Sequence, residues 1–298
     1  MDKEQLNESN IGRFITLNNQ LSYIDPYVLK KTKEIFLEEN QYKLKKGNLL
    51  IFVLTHKKED IGFIKFQCKN KNIFIDKLFV KKNYRDFEAY EMLLNINDIF
   101  TENRNFKSIK YIGVNDKPRL IDALKFHGFF MEKEHIQMEK ILSDKHENKN
   151  FDLFKKSFHE VKDKKWIYNF MKECMIPVKF NYSYEEIIQI TKDSDDLKLI
   201  FYKENKPLGF IIAHINEQRN KQQNKKVIYI EEVGIFKRFR NKGYGKQIIK
   251  FIINKGEDKG MELARLHVYR DNEVAYKIYK KLGFSKVKSI GHWINRSF

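Results

Sequence analysis

Seven consecutive residues, Arg240-Asn241-Lys242-Gly243-Tyr244-Gly245-Lys246, sit inside the stretch "RFRNKGYGKQIIKFI" at 238–252. Two glycines one residue apart follow basic side chains, and an apolar-periodic segment starts at once. The chemistry this pattern suits is phosphate binding. The first turn of a helix leaves backbone N–H groups unpaired and carries about half a positive charge, so anions collect there. Gly243 and Gly245 remove the Cβ atoms that would hold a phosphate away from the backbone. Arg240, Lys242 and Lys246 add positive charge around it. The plain alternative is a tight connection that merely needs glycine; the basic flanks and the elements on either side argue against it.

Those elements are legible. "VIYIEEVGIF" (227–236) is rich in β-branched and apolar residues, as a buried strand is. After the turn, Ile248, Ile249, Ile252 and Ile253 recur at helical spacing, with Gly256 near the stop. The region also has a twin upstream. "IDKLFVKKNYRDFEAYEMLL" (75–94) aligns with "IEEVGIFKRFRNKGYGKQII" (230–249) at a constant offset of 155, and the same offset joins "KFHGF" (125–129) to "KKLGF" (280–284). A repeat held over that distance without a gap reads as tandem domains.

Each motif is preceded by a hairpin pattern: "NLLIFVLTHKKEDIGFIKFQC" (48–68) and "LKLIFYKENKPLGFIIAHI" (197–215), the second turning at Asn205-Lys206-Pro207. The hairpin offset is 147, so the second copy carries an insertion, placed at the polar loop "NEQRNKQQNKK" (216–226). Helical segments open each copy, at 25–46 and at 164–175 with 183–193. The polar stretch 142–150 is the expected boundary. Each half therefore reads helices, three strands, helix, strand, helix and final strands, which implies α/β with a mixed sheet.

The length fits about two domains. With 58 Lys+Arg against 40 Asp+Glu the net charge is +18, but the lysines are spread through both halves. A nucleic-acid surface is one reading and compositional drift the blander one; a polyanionic cofactor also suits the excess. Cys68 and Cys174 match no metal spacing and no disulfide framework. No apolar run reaches membrane length and the N-terminus does not read as a signal peptide. The expectation is a cytoplasmic protein with no metal site.

The motif Arg-x-x-Gly-x-Gly at 240–245 resembles that of the Gcn5-related N-acetyltransferase (GNAT) family. "DNEVAYKIYKKLGF" (271–284), which follows the strand "ELARLHVYR" (262–270), resembles the family's second motif. The resemblance covers most of 164–298. It implies α/β (α+β) architecture: two tandem GNAT-like domains, each a mixed, mostly antiparallel sheet flanked by helices. Residues 1–148 would be a degenerate copy and 149–298 the catalytic domain. It further implies that the turn 240–246 holds the pyrophosphate of acetyl-CoA. The backbone of Val233 and Ile235 would pair with the pantetheine arm, Asn272 would hydrogen-bond that arm, and Tyr279 would be the proton donor near the thioester sulfur.

Acyl transfer to an amine needs a base, because an alkylamine with pKa about 10.4 is almost wholly protonated at pH 7. Glu231 and Glu232 are the candidates. Adjacent strand residues face opposite ways unless a bulge intervenes, and the family has a bulge here. Glu231 is the first choice, because family members often place a base at that position. Ordinary solvated charges are the bland reading of the pair, and a packed aromatic is that of Tyr279. Tyr276, His267 and His292 read as structural. In the first copy Gly243 becomes Glu88, Gly245 becomes Tyr90 and Tyr279 becomes Leu124, while Asp76 stands at the Glu231 position. That copy is expected to bind no coenzyme A. The expected function is acetyl transfer from acetyl-CoA to a primary amine, on a small molecule or a peptide, by direct attack. The alternatives are a non-catalytic acyl-CoA sensor and a basic nucleic-acid binder using 216–226. The acceptor and the oligomeric state are not legible.

Overall fold

The computed structural model describes residues 1–22, 31–95, 106–142, 151–176, 180–192 and 196–296. The first half runs β1 (Asp2–Gln5), α1 (Gly12–Ser22), α2 (Lys33–Lys45), β2 (Leu49–His56), β3 (Glu59–Lys69), β4 (Asn72–Val80), α3 (Phe87–Leu94), β5 (Ser108–Val114), α4 (Pro118–Phe126) and β6 (Phe130–Ile141). The second runs β7 (Phe154–Ser157), α5 (Lys164–Met175), α6 (Tyr184–Lys192), β8 (Lys198–Lys203), β9 (Lys206–Ile215), α7 (Glu217–Gln223), β10 (Val227–Ile235), α8 (Tyr244–Asp258), β11 (Leu263–Tyr269), α9 (Glu273–Lys281) and β12 (Ser285–Asn295). From β4 onward the two halves keep the 155-residue offset: β4, β5, α4 and β6 begin at 72, 108, 118 and 130, and β10, β11, α9 and β12 at 227, 263, 273 and 285.

Hairpin geometry explains the turns. Lys57-Lys58 and Glu204-Asn205 all have positive φ (47° and 66°, 49° and 60°), the left-handed pair whose twist matches two antiparallel strands. The sequence expectation of a turn at Asn205-Lys206-Pro207 is thus corrected by one residue. Proline, with φ fixed near −65°, cannot take a left-handed position, and Pro207 instead pairs with Tyr202 inside the strand. The expected loop 216–226 is also corrected, for it contains the helix α7. The Asn216 side chain caps it by accepting from the Arg219 N–H at 2.9 Å, and Asn224 ends it at φ 48°. The strands β1 and β7 and the helix α1 have no counterpart in the sequence reading.

The chain forms two compact units, Met1–Ile136 with Lys288–Phe298, and Gln137–Val287. This differs from the expected boundary at 148/149; of the polar stretch 142–150, residues 143–150 lie outside the described set. The physical reason for the difference is strand exchange. In the first unit the strand order is β1-β2-β3-β4-β5-β12-β6, and β12 pairs antiparallel with β5 from Ile290↔Val114 to Asn295↔Ile109. In the second it is β6-β11-β10-β9-β8-β7. Each unit thus sets beside its fifth core strand the last strand of the other half of the sequence.

In the first unit, strand alternation sorts the core. Ile51, Val53, Phe63 and Phe79 face Phe14, Leu17 and Phe36 of α1 and α2. Phe52, Leu54, Ile64 and Phe66 face Ala89, Leu93, Leu120 and Leu124 of α3 and α4, and Trp293 of β12 joins them. In the second unit Ile200, Phe210 and Ile212 pack against Ile167, Phe170, Met171 and Ile187 of α5 and α6. The isoleucines of α8 at 248, 249, 252 and 253 are buried as the period predicts.

Candidate active site

The candidate site is built from residues of the second unit and begins with a broken ladder. β10 pairs antiparallel with β9 along its length, but the register skips Glu231: Ile230 faces Ala213 and Glu232 faces Ile212. On its other side β10 pairs parallel with β11 only from Val227↔Leu263 to Ile230↔Leu266. The bulge bends the strand, and residues 231–235 diverge from β11. The backbone of Val233 and Ile235 is left along an open strand edge, which is the arrangement an added extended ligand requires.

The open edge leads to the 240–246 turn. Gly243 is the N-cap of α8 with φ 82°, and no side chain caps the helix. Asn241 also has positive φ, 60°. At φ 82° an L-residue is strained, which explains Gly243. Gly245 has a different reason. A Cβ there would meet only Ile235 Cγ1, at 3.7 Å, an ordinary contact. The protein's own packing does not demand a glycine at 245, so the space it leaves is available to a ligand. Lys242 and Lys246 are exposed beside it. Tyr244 sits edge-on to Phe239, ring centroids 6.1 Å apart. Together the uncapped helix terminus, the space at Gly245 and the lysines fit a diphosphate.

Two predicted ligand-binding residues carry structural duties. The Arg240 guanidinium donates to the Ile235 carbonyl and to the Cys174 carbonyl, both at 2.9 Å, tying the end of β10 to α5. Its counterpart Arg85 donates in the same way to the Val80 carbonyl at 2.9 Å. The bond to the carbonyl five residues earlier is thus common to both repeats, and Arg240 has a structural duty beside the turn whatever its charge does for a ligand. Asn272 caps α9 by accepting from the Ala275 N–H at 3.2 Å; only its amide N–H₂ remains for an external partner.

The structure separates the two carboxylates. Glu231 is exposed and lies 3.3 Å from His214 Nδ1, while His214 stacks flat on Tyr229 at 5.2 Å. Glu232 is half-buried. Burial first, and then the charge of Glu231, push its pKa from 4.5 up to about 7. Burial and the raised pKa thus set Glu232 apart from the exposed Glu231, the first choice of base from the sequence. Tyr279 is 9% exposed, and burial followed by the Glu232 charge raises its phenol to about 12. Among the described residues its hydroxyl has no hydrogen-bond partner. Sequence reasoning missed Tyr182, whose phenol is pushed up by burial and by Glu232, Glu231 and Glu186 in turn. It stands in a segment with neither period nor motif, so no local signal marks it. Burial also pushes the Cys174 thiol well up, which leaves it a poor nucleophile.

The first unit repeats the geometry without the chemistry. β4 bulges at Asp76, since Lys65 faces Lys77 and Phe66 faces Ile75, and its pairing with β5 ends at Ile75↔Tyr111. Asp76 is held by the buried Lys65 at 2.7 Å. Lys77, at the Glu232 position, donates to Asn18 at 3.1 Å. The N-terminus of α3 is filled by the chain itself: Asp86 Oδ1 accepts from the Ala89 N–H at 2.8 Å. Two cavities in this unit, of about 440 and 380 Å³, include none of the predicted site residues. Among the described residues no cluster of three metal-ligating side chains occurs, and no helix is long and apolar enough to cross a membrane.

Residues 165–284 match the model of the acetyltransferase (GNAT) family. An uncharacterized N-acetyltransferase of Methanocaldococcus jannaschii is 27% identical over 105 residues, 35% of this chain and 46% of that protein. One of Bacillus subtilis is 27% identical over 79 residues, 26% of this chain and 48% of that protein. The matches thus span about half the length of these relatives. Among solved structures, a GCN5-related N-acetyltransferase from Sphaerobacter thermophilus superposes with TM-score 0.70 at 11% identity, covering 99% of this chain and 95% of its own. A tandem GNAT protein from the clavulanic acid biosynthesis pathway gives 0.57 at 10% identity, covering 98% of both. At such identities the likeness is one of fold, and it extends over both units.

Proposed function

We propose, from a chain whose residues 165–284 form a GNAT-family domain, that the second unit transfers an acetyl group from acetyl-CoA to a primary amine. The observation that carries this reading is the open edge of β10 at 231–235, which leads to a helix N-terminus that no side chain caps. The backbone N–H groups of the first turn of α8, with Lys242 and Lys246, would hold the pyrophosphate. The edge at Val233 and Ile235 and the Asn272 amide would hold the pantetheine arm. When bound, acetyl-CoA supplies an acyl carbonyl activated as a thioester.

The chain's own residues supply the proton chemistry. Glu232, with a pKa of about 7, is half-ionised near neutrality and takes the proton from the incoming ammonium, directly or through a water. Tyr279 keeps its proton at any physiological pH and presents it from a buried position to the leaving sulfur. With Cys174 buried and its thiol pKa raised, direct attack by the amine is favoured over a covalent enzyme intermediate. The first unit binds no coenzyme A in this reading, because Asp86 occupies its helix terminus and Lys65 neutralises Asp76.

The test is twofold. Titration of the full-length protein with acetyl-CoA should give one site per chain, and free thiol should appear when amines are added. Tight binding with no turnover on any amine would favour an acyl-CoA sensor instead, and absence of binding refutes both.

A further inference from the structure

We infer that the first unit holds a binding site for a small apolar monocarboxylate, in the cavity of about 380 Å³ lined by α4, β6, β12 and the loop after β5. Its walls are mostly apolar. Phe129 and Trp293 are buried, Ile121 of α4 is half-buried, and Phe130 and Met131 are 47% and 43% exposed. Cavities of roughly 300–1,000 Å³ with aromatic walls and a few placed polar groups are the usual seats of small ligands. Here the polar groups are Asn115 and Lys125, and no aspartate or glutamate lines the cavity.

One wall is built at a cost to the sheet. The Trp293 indole N–H donates to Asn115 Oδ1 at 3.1 Å, and the Asn115 backbone N–H donates to the Ser289 carbonyl at 2.9 Å. The side-chain bond lies across Gly291, where a Cβ would fall 2.3 Å from Asn115 Oδ1 and 2.5 Å from Trp293 Nε1. Glycine weakens a strand interior, and here it seats this pair. The other repeat serves as an internal control. The 155-residue offset sets Ile136 opposite Gly291, Arg270 opposite Asn115, and Ser285 and Lys286 opposite Phe130 and Met131. Phe130, Met131, Ser285 and Lys286 are all exposed, so the fold places these positions in water and does not call for apolar side chains there. The donors are also poorly served. Among the described residues the Asn115 amide N–H₂ reaches only Met131 Sδ at 3.2 Å and Ser289 Oγ at 3.4 Å, and a thioether sulfur is a weak acceptor. Lys125 is exposed, and its ammonium has no partner among the described residues. Arg296, over the Phe130 ring at 5.6 Å, is already paired with Glu132 at 2.9 Å.

These groups select the ligand class. A neutral apolar molecule would satisfy the walls and leave the donors of Lys125 and Asn115 unanswered. An amine would bring a second positive charge beside Lys125. A carboxylate has two oxygens for the two donors, while its aliphatic or aryl part covers Phe130 and Met131 and packs on the aromatic walls. The site lies within the first unit and needs neither coenzyme A nor the chemistry of the second.

The experiment titrates the full-length protein with 4-phenylbutanoate, octanoate, the alcohols of the same two skeletons and 4-phenylbutan-1-amine. Calorimetry on the wild type gives affinities. Trp166→Phe leaves Trp293 as the one tryptophan, so its fluorescence reports occupancy of this cavity. Each carboxylate should bind about tenfold or more tighter than its alcohol, with the amine weakest. Lys125→Met should bring acid and alcohol to within about twofold of each other. Phe130→Ser combined with Met131→Lys, the pair found in the other repeat, should weaken acid and alcohol alike by about tenfold or more while Tm moves by less than about 2 °C, since both positions are exposed. Equal binding of acid and alcohol, a preference unmoved by Lys125→Met, or no response of Trp293 to any probe at millimolar concentration overturns the inference. A concentration-dependent dimer in sedimentation that the double variant dissolves assigns the apolar rim to a second copy of the chain and overturns it too.

Discussion

Replacing Glu232 by glutamine should make the protein more stable and nearly inactive, and the pH dependence of the two effects must agree. Glutamine keeps the shape of a protonated carboxyl group and cannot ionise. Below about pH 4.5 the wild-type carboxyl is protonated in both the folded and the unfolded chain. Between 4.5 and about 7 the unfolded chain has released the proton while the folded chain still holds it. Stability relative to the glutamine variant is therefore full at the acid end, falls as pH rises through that window, and is flat above it. One pKa unit corresponds to 1.36 kcal/mol, so the full shift is worth about 3 kcal/mol; sharing of the charge with Glu231 and partial solvation bring the expected gain to about 1–3 kcal/mol. For a unit of this size that is about 2–4 °C in Tm per kcal/mol. Thermal unfolding of both proteins at pH 5.0 and 8.5 should thus show little difference at the lower pH and a higher Tm for Glu232→Gln at the upper. The kcat of the variant should fall by about 10²–10⁴, and the rise of wild-type kcat/KM with pH near 7 should vanish. A variant as unstable as wild type at pH 8.5, or one that keeps the limb near pH 7, refutes Glu232 as the base.

The remaining predictions address single elements. Gly245→Glu should leave Tm within about 1 °C, since a Cβ there makes only an ordinary contact with Ile235 Cγ1 at 3.7 Å, but should weaken acetyl-CoA binding at least tenfold by calorimetry. Gly243→Ala, strained at φ 82°, should cost about 1–2 kcal/mol in urea unfolding. Tyr279→Phe should lower kcat by about 10–100-fold with little change in acetyl-CoA affinity, and wild-type rates should show no alkaline limb below pH 10, because the phenol titrates near 12. Trp293→Ala should destabilise the first unit by about 3–5 kcal/mol as followed by hydrogen exchange, since Trp293 is 5% exposed within that unit's core.

Periodicity and repetition made most of the fold legible. The 155-residue offset visible between Ile75 and Ile230 survives as an offset between whole elements, and the alternation in "NLLIFVL" divides Ile51 and Val53 from Phe52 and Leu54 across the two faces of the sheet. What escaped has no local signature. Strand exchange cannot be read from β6 or β12, because pairing with either neighbour satisfies the same backbone and the same side-chain alternation. The turn falls at 204–205 and not at 205–207 because the hairpin needs positive φ, which proline cannot take. In the site, the strand-to-helix turn at the two glycines was legible. The assignment of Glu232 over Glu231 was not, since both readings obey the same sequence and differ only in which residue the bulge leaves exposed. The second duty of Arg240 is likewise invisible, because its partners are carbonyl oxygens at Ile235 and Cys174.

On the proposed reading, the repeat separates a binding site from a silent one by very little. Both units keep the bulge, the early end of the parallel ladder and the arginine clamp, which together form the cleft. The divergence lies in a few charges. Where the second unit has Asn241 and an uncapped helix, the first has Asp86 capping its own. Where the second has Glu232, the first has Lys77; and Asp76, opposite Glu231, is neutralised by a lysine at the position of Ile212. Each change satisfies within the protein a group that the second unit leaves for a ligand. A helix N-terminus capped by its own carboxylate is worth about 1 kcal/mol of stability, and the same carboxylate repels a phosphate. On the proposed reading, the first unit has therefore exchanged affinity for stability at the positions where the second has done the reverse. Asp86→Asn preserves the cap and removes the charge; with the helix terminus still capped and Glu88 exposed in its first turn, it should yield no second acetyl-CoA site by calorimetry, and a second site would show that the charge alone silences the unit.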